Sequence, residues 1–184
     1  MKKLIIIALL LLAFSISASA QRWMTRTGKV RFSSSTAIEN IEAVNNEVAG
    51  ALNSAAGEVV FIVPIKSFKF DKALMQEHFN ESYLESDKYS KASYQGKIAD
   101  MSKVNFSKDG TYSVLSKGQM TIHGITKNVN IPATIVIKGG TVTVHSEFNI
   151  KPADYGIKIP SIVASKIAAD IAVTVDSILK EMDQ

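Results

Sequence analysis

From Asn128 to Ile150 apolar and polar residues alternate almost without a break, a pattern that leaves little room for anything but β-structure. In Thr141 to Ile150, Val142, Val144, Phe148 and Ile150 fall on one face, and Thr141, Thr143, His145, Glu147 and Asn149 fall on the other. In Asn128 to Lys138, Val129, Ile131, Ala133, Ile135 and Ile137 share a face opposite Asn128, Asn130, Pro132, Thr134, Val136 and Lys138, with Val136 the one apolar exception. Successive side chains of a strand point to opposite sides, so each segment has one face to bury and one to solvate. Lys138-Gly139-Gly140 joins the two, and a Gly-Gly pair supplies the positive φ angles of a tight hairpin. The two segments are therefore expected to pair antiparallel.

The same reading extends upstream. Val48 to Leu52 and Glu58 to Ile65 flank the small-residue loop Asn53 to Gly57 and predict a second hairpin. Thr111 to Leu115 follows Lys108-Asp109-Gly110, a strong turn signal. Ile171 to Ile178 alternates and predicts a closing strand. Two segments break the rule. Lys72 to Asn80 sets Leu74, Met75, His78 and Phe79 at helical spacing, with Asp71 placed as an N-cap, and predicts a short surface helix. Ser161 to Ala168, after Pro160, predicts one helical turn or more. The sum is roughly eight strands joined mostly by short turns, with one helical insertion. Such a meander exposes two sheet edges unless it closes, which points to an all-β fold, a single antiparallel barrel or a two-sheet sandwich. About eight strands enclose a space that side chains can fill or one small ligand can occupy. Alternation leaves a filled core and a cavity both open, and an ordinary core is the simpler reading of Phe61, Val63, Phe68 and Phe70.

The chain has 184 residues, and its first twenty stand apart. Lys2 and Lys3 precede an apolar run from Leu4 to Phe14, and Ala18-Ser19-Ala20 forms a small-residue cleavage site. That is the pattern of a secretory signal peptide, and the run is shorter than the ~20 residues a membrane-spanning helix needs. Residues 1–20 are thus expected to be a leader and 21–184 one exported domain, periplasmic or secreted, with no integral membrane segment once the leader is removed. The chain contains no cysteine, so neither a disulfide framework nor a lipidated cysteine is available. Removal of Lys2 and Lys3 lowers the formal charge from +4 to +2, and the remaining bases are interspersed with acids. That pattern argues against a nucleic-acid partner.

The three histidines, His78, His123 and His145, lack the short spacing of a metal site. No serine lies in a G-x-S-x-G elbow, and Gly139-Gly140 lacks the helix and lysine of a phosphate loop. No catalytic residue, metal or cofactor is expected. In Thr121-Ile122-His123-Gly124-Ile125-Thr126-Lys127, Met120 and Ile122 face one way, Thr121 and His123 the other, and Gly124 opens a turn. His123 is expected as a corner residue at the rim, bonded to nearby backbone.

Gly118 to Lys127 resembles the G-x-L-T-I-H-G-V-T-K signature of the YceI-like, polyisoprenoid-binding family. Gly57 to Phe61 with Ile65 to Phe68 is similar to the family's G-x-I-x-F and I-x-S-F elements. His78 to Tyr89 is similar to its H-L … S-x-D-F-F-D … Y-P stretch, and Phe148 to Ile150 through Asp154 to Ile157 to its F-x-I-x-R-x-D-F-G-I element. The likeness runs from about residue 27 to about 175. Tyr89-Ser90 and Lys151-Pro152-Ala153 depart from it, and the start of the chain looks short of an opening strand. The resemblance implies a lipocalin-like barrel, usually periplasmic, that holds an isoprenoid or quinone-like lipid in an apolar cavity. Alternation then selects Phe61, Val63, Met120, Ile122, Ile131, Ile135, Val142, Val144, Phe148, Ile171 and Val173 as ligand-binding candidates. A non-catalytic structural or interaction barrel with a filled core is the alternative. The oligomeric state is left open, a homodimer included.

Overall fold

The structure is a computed structural model that describes residues 21–182; the expected leader lies outside the described residues. Its strands are β1 (Arg22–Ser35), β2 (Asn40–Asn53), β3 (Glu58–Pro64), β4 (Lys69–Phe70), β5 (Lys91–Ile98), β6 (Gly110–Ile122), β7 (Ile125–Lys138), β8 (Thr141–Ile150) and β9 (Ile171–Glu181). All neighbours pair antiparallel. β1 pairs with both β9 and β2, so the eight long strands close into a barrel. The two-residue β4 continues the β3 edge of β2 beyond a 3-10 turn at Ile65–Ser67. The buried Asn45 spans that interruption: its Nδ2 donates to the Pro64 carbonyl at 2.7 Å, and its Oδ1 accepts from the Glu47 amide at 2.8 Å.

The predicted hairpins form, and the strands run further than the alternation marked. Gly139 and Gly140 both have positive φ in the two-residue turn between β7 and β8, as expected. β6 continues from the predicted Thr111–Leu115 to Ile122, and its hairpin with β7 turns on His123 and Gly124. His123 is itself the first turn residue, with φ +51°, so Gly124 does not open the turn alone.

The opening strand is a correction. β1 is fourteen residues long, and a register shift around Gly28 switches its inward parity from Trp23 and Thr25 to Val30 and Ser34. A bulge reverses which residues face the core, so no single alternating run exists to be read.

The barrel has a closed end and an open one. At the closed end Trp23, Leu52, Val59, Ile98, Val142 and Leu179 pack together over the 99–109 connection, where Phe106 stacks on Trp23 at 5.4 Å. The Trp23 indole donates to the Gly140 carbonyl at 3.2 Å, which satisfies the one polar atom of that side chain.

Across the open end lies the helical insertion. Helix α1 spans Ala73–His78 and runs on as a π-type turn, Phe79–Tyr83. The expected bounds, Lys72 to Asn80, and the expected cap, Asp71, are both corrected. Lys72 is the N-cap residue and no side chain caps it, Asp71 is exposed, and the Gln76 side chain accepts instead from the Phe70 amide at 3.3 Å. Phe79 anchors the insertion, its ring lying 5.4 Å from Phe32, 5.5 Å from Phe68 and 5.0 Å from Phe70. The predicted turn after Pro160 is a 3-10 helix, Ser161–Lys166.

Candidate functional site

Between the closed end and α1 the barrel is hollow. A cavity of about 530 Å³ runs up its axis, within the roughly 300–1,000 Å³ range of small-molecule sites. Its wall is built from the inward positions of all eight long strands, among them Val30, Phe61, Val114, Ile135, Val144 and Val173. α1, the π-type turn that follows it and the 152–167 connection add to the wall, including Met75, Phe79, Ile157 and Val163.

Of the six hydroxyls in the wall, those of Ser34, Tyr94, Ser116 and Ser146 are engaged by the protein. Ser116 donates to the Lys97 carbonyl at 3.2 Å, which leaves the Tyr94 hydroxyl, 2.6 Å away, to donate to the Ser116 oxygen. Ser146 donates to the Pro132 carbonyl at 2.6 Å, and Ser34 accepts from the Ala168 amide at 2.8 Å. Burial pushes the Tyr94 phenol above its ordinary value. The phenol therefore stays neutral, and the interior offers little polar surface. Charged and titratable side chains in the lining, Glu39, Lys72, His78 and Lys166, belong to the mouth. There Lys72 on the N-terminal side of α1 reaches Glu39 of the β1–β2 turn at 3.2 Å.

Ten of the eleven candidates chosen by alternation line the cavity: Phe61, Val63, Met120, Ile122, Ile131, Ile135, Val144, Phe148, Ile171 and Val173. Val142 does not. It points inward but lies at the closed end, fully buried against the Trp23 cluster, because alternation reports the face of a strand and not the depth along it. Residues that sequence reasoning passed over are Val30 and Phe32 on β1, Tyr94 on β5, and the apolar face of α1. The helical spacing of Leu74, Met75, His78 and Phe79 carried the signal for the last group, since an apolar stripe needs a surface to cover.

The histidines are kept apart. His78 lies at the mouth. His145 is on the outer wall, with Nδ1 2.7 Å from Asp176 and Nε2 3.7 Å from Glu147. His123 is at the rim, where its Nδ1 lies 3.2 Å from the Tyr155 carbonyl, a backbone partner as expected. Its Nε2 also lies 2.7 Å from the Glu85 carboxylate, a contact the sequence did not suggest. Among the described residues no group of three or more His, Cys, Asp or Glu is placed to hold a metal ion.

Comparison with known proteins agrees with this geometry. The YceI-like domain matches residues 22–178. No curated protein matches the sequence. Among solved structures, a polyisoprenoid binding domain from Saccharophagus degradans, described as implicated in plant cell wall breakdown, superposes with a TM-score of 0.76 at 16% identity. It covers 89% of this chain and 100% of its own. BcnA of Burkholderia cenocepacia gives a TM-score of 0.67 at 18% identity, covering 83% of this chain and 95% of its own. The YCEI protein of Campylobacter jejuni gives 0.58 at 16% identity, covering 77% and 85%.

Proposed function

The chain belongs to the YceI-like family, and from that premise we propose that it is an exported binding protein that sequesters or carries an amphiphilic isoprenoid- or quinone-type molecule. The observation that carries this reading is the cavity, about 530 Å³ of space walled mostly by hydrocarbon, with the hydroxyls of Tyr94, Ser116 and Ser146 already bonded within the protein. Such a space rewards an apolar chain at ~0.8 kcal/mol per CH₂ buried and gives a polar group little to replace its water. The hydrocarbon end of the cargo therefore enters first, and the polar end stays at the mouth among Lys72, Glu39, His78 and Lys166. The likeness to a domain described as polyisoprenoid binding supports the choice of chain. The leader-like residues 1–20 support export to the periplasm or beyond. A barrel filled by its own side chains, the competing reading, is not favoured by a cavity of this size. The reading assigns the protein no catalytic step.

Native mass spectrometry of the protein purified from its own periplasm tests this directly. The expected result is a mass excess that extracts as an isoprenoid or quinone, together with saturable uptake of such a molecule by delipidated protein. Protein that carries no lipid and shows no saturable uptake of any isoprenoid or quinone overturns the reading.

A further inference from the structure

The open end of the barrel ends in exposed hydrocarbon. Ile38 is 63% exposed on the β1–β2 turn, Leu74 is 60% exposed on α1, and Ile162 is 87% exposed on the 3-10 helix. These three segments are separate in sequence and together ring the mouth. Leu74 itself lines the cavity, Ile38 adjoins the lining residue Glu39, and Ile162 adjoins the lining residue Val163. Polar ties hold the ring in place: Lys72 to Glu39 at 3.2 Å joins α1 to the turn, and the Ala168 amide donating to Ser34 at 2.8 Å joins the 3-10 segment to β1. The apolar wall of the cavity thus continues outward, past the charged groups of Glu39, Lys72 and Lys166, onto aliphatic side chains of the rim that the chain itself leaves uncovered.

We infer that this rim is a docking surface for a lipid bilayer, with Ile38, Leu74 and Ile162 inserting at the level of the headgroups so that the cavity opens onto the acyl layer. The inference rests on the carrier reading for its purpose and on the rim for its geometry. A bilayer is the occupant that suits a mouth continuous with a hydrocarbon cavity, because cargo can pass between two apolar phases without crossing water. A protein partner would instead have to seal the mouth. The charges on the rim segments are mixed, with Lys72, Lys158 and Lys166 beside Glu39, Asp71, Glu77 and Asp170, so there is no one-signed field to attract an anionic surface. Apolar insertion is what the rim offers. Binding should accordingly need no anionic lipid and should survive raised salt.

The test is flotation of the mature chain with phosphatidylcholine vesicles at low and high salt. Wild-type protein is expected to float with the vesicles under both conditions. Ile38→Ser with Ile162→Ser removes two rim side chains that do not line the cavity, and is expected to weaken vesicle partitioning about tenfold or more. Ile178→Ser is the control, since Ile178 is 59% exposed on β9, towards the closed end. Its partitioning should match wild type. Failure of wild type to float, flotation of the double variant at the wild-type level, or an equal loss in Ile178→Ser overturns the inference. Uptake of a water-dispersed fluorescent isoprenoid, measured without vesicles, separates this from the carrier reading. A protein that takes up no isoprenoid yet floats through Ile38 and Ile162 retains the docking surface and loses the cargo.

Discussion

At the scale of single residues, the rim is tied by a contact between two side chains whose backbones both lie in the left-handed region. His123 has φ +51° and Glu85 has φ +43°, and they meet at 2.7 Å. The ring thus has a partner at each nitrogen, the Glu85 carboxylate at Nε2 and the Tyr155 carbonyl at Nδ1. The pair fastens the segment after the π-type turn to the β6–β7 hairpin, and the ring packs edge-on against Tyr89 at 4.5 Å. Left-handed backbone costs an L-residue roughly 1–2 kcal/mol, which the contact must offset. Glu85→Ala and Glu85→Gly both lose the contact, but only glycine is relieved of the backbone cost. The glycine variant should therefore be more stable than the alanine variant by about 1 kcal/mol in denaturant unfolding. Equal stabilities would refute a held φ.

Tyr94 yields a second prediction at this scale. Its folded value is raised by burial above the ordinary 10.0. Between the unfolded and folded values the native state holds the proton that the unfolded state has released, so stability is full below about pH 10 and falls as the pH rises through the folded value. Tyr94→Phe should lower stability by about 1 kcal/mol at neutral pH through loss of one hydrogen bond. It should also flatten the alkaline decline seen in unfolding curves above about pH 10. A decline as steep as that of wild type would show that Tyr94 does not contribute to it.

At the scale of elements, the insertion and the barrel are separable. α1 buries none of its own residues fully, and its hold on the barrel is concentrated in Phe79 within the four-ring cluster. Phe79→Ala should cost about 2–4 kcal/mol, somewhat less than a fully buried phenylalanine. Hydrogen exchange should localise that cost, with faster exchange over residues 73–90 and unchanged protection in β6 to β8. Uniform loss of protection would show that the insertion folds as one unit with the barrel. What was legible at this scale follows the same physics. β7 and β8 were plain because each is regular and has one buried face. β1 was not, because Gly28 reverses its parity and because polar Thr25 and Ser34 occupy inward positions. The insertion was seen as a helix from its spacing, but its cap was misplaced: the helix starts one residue later than expected, after Lys72, with no side-chain cap.

For the whole molecule, period two names the face of a strand and is silent on position along the barrel axis. That is why ten candidates fell on the cavity wall and Val142 fell in the plug beneath it, and why the residues alone could not separate a hollow barrel from a filled one. The distinction is open to a substitution that a filled core would not tolerate. Ala133 lies in the cavity wall on β7, next to the closed-end cluster. In a close-packed interior Ala133→Phe would force off-rotamer side chains at about 1–3 kcal/mol. In a barrel with about 530 Å³ of space the ring has room to enter. The variant should therefore unfold within about 1 kcal/mol of wild type, while its uptake of a fluorescent isoprenoid falls about tenfold or more because the ring occupies volume the chain requires. Calorimetry and titration of the same sample measure both. A large destabilisation would mean the wall is packed in solution, and undiminished uptake at full stability would move the binding site out of the barrel's lower half.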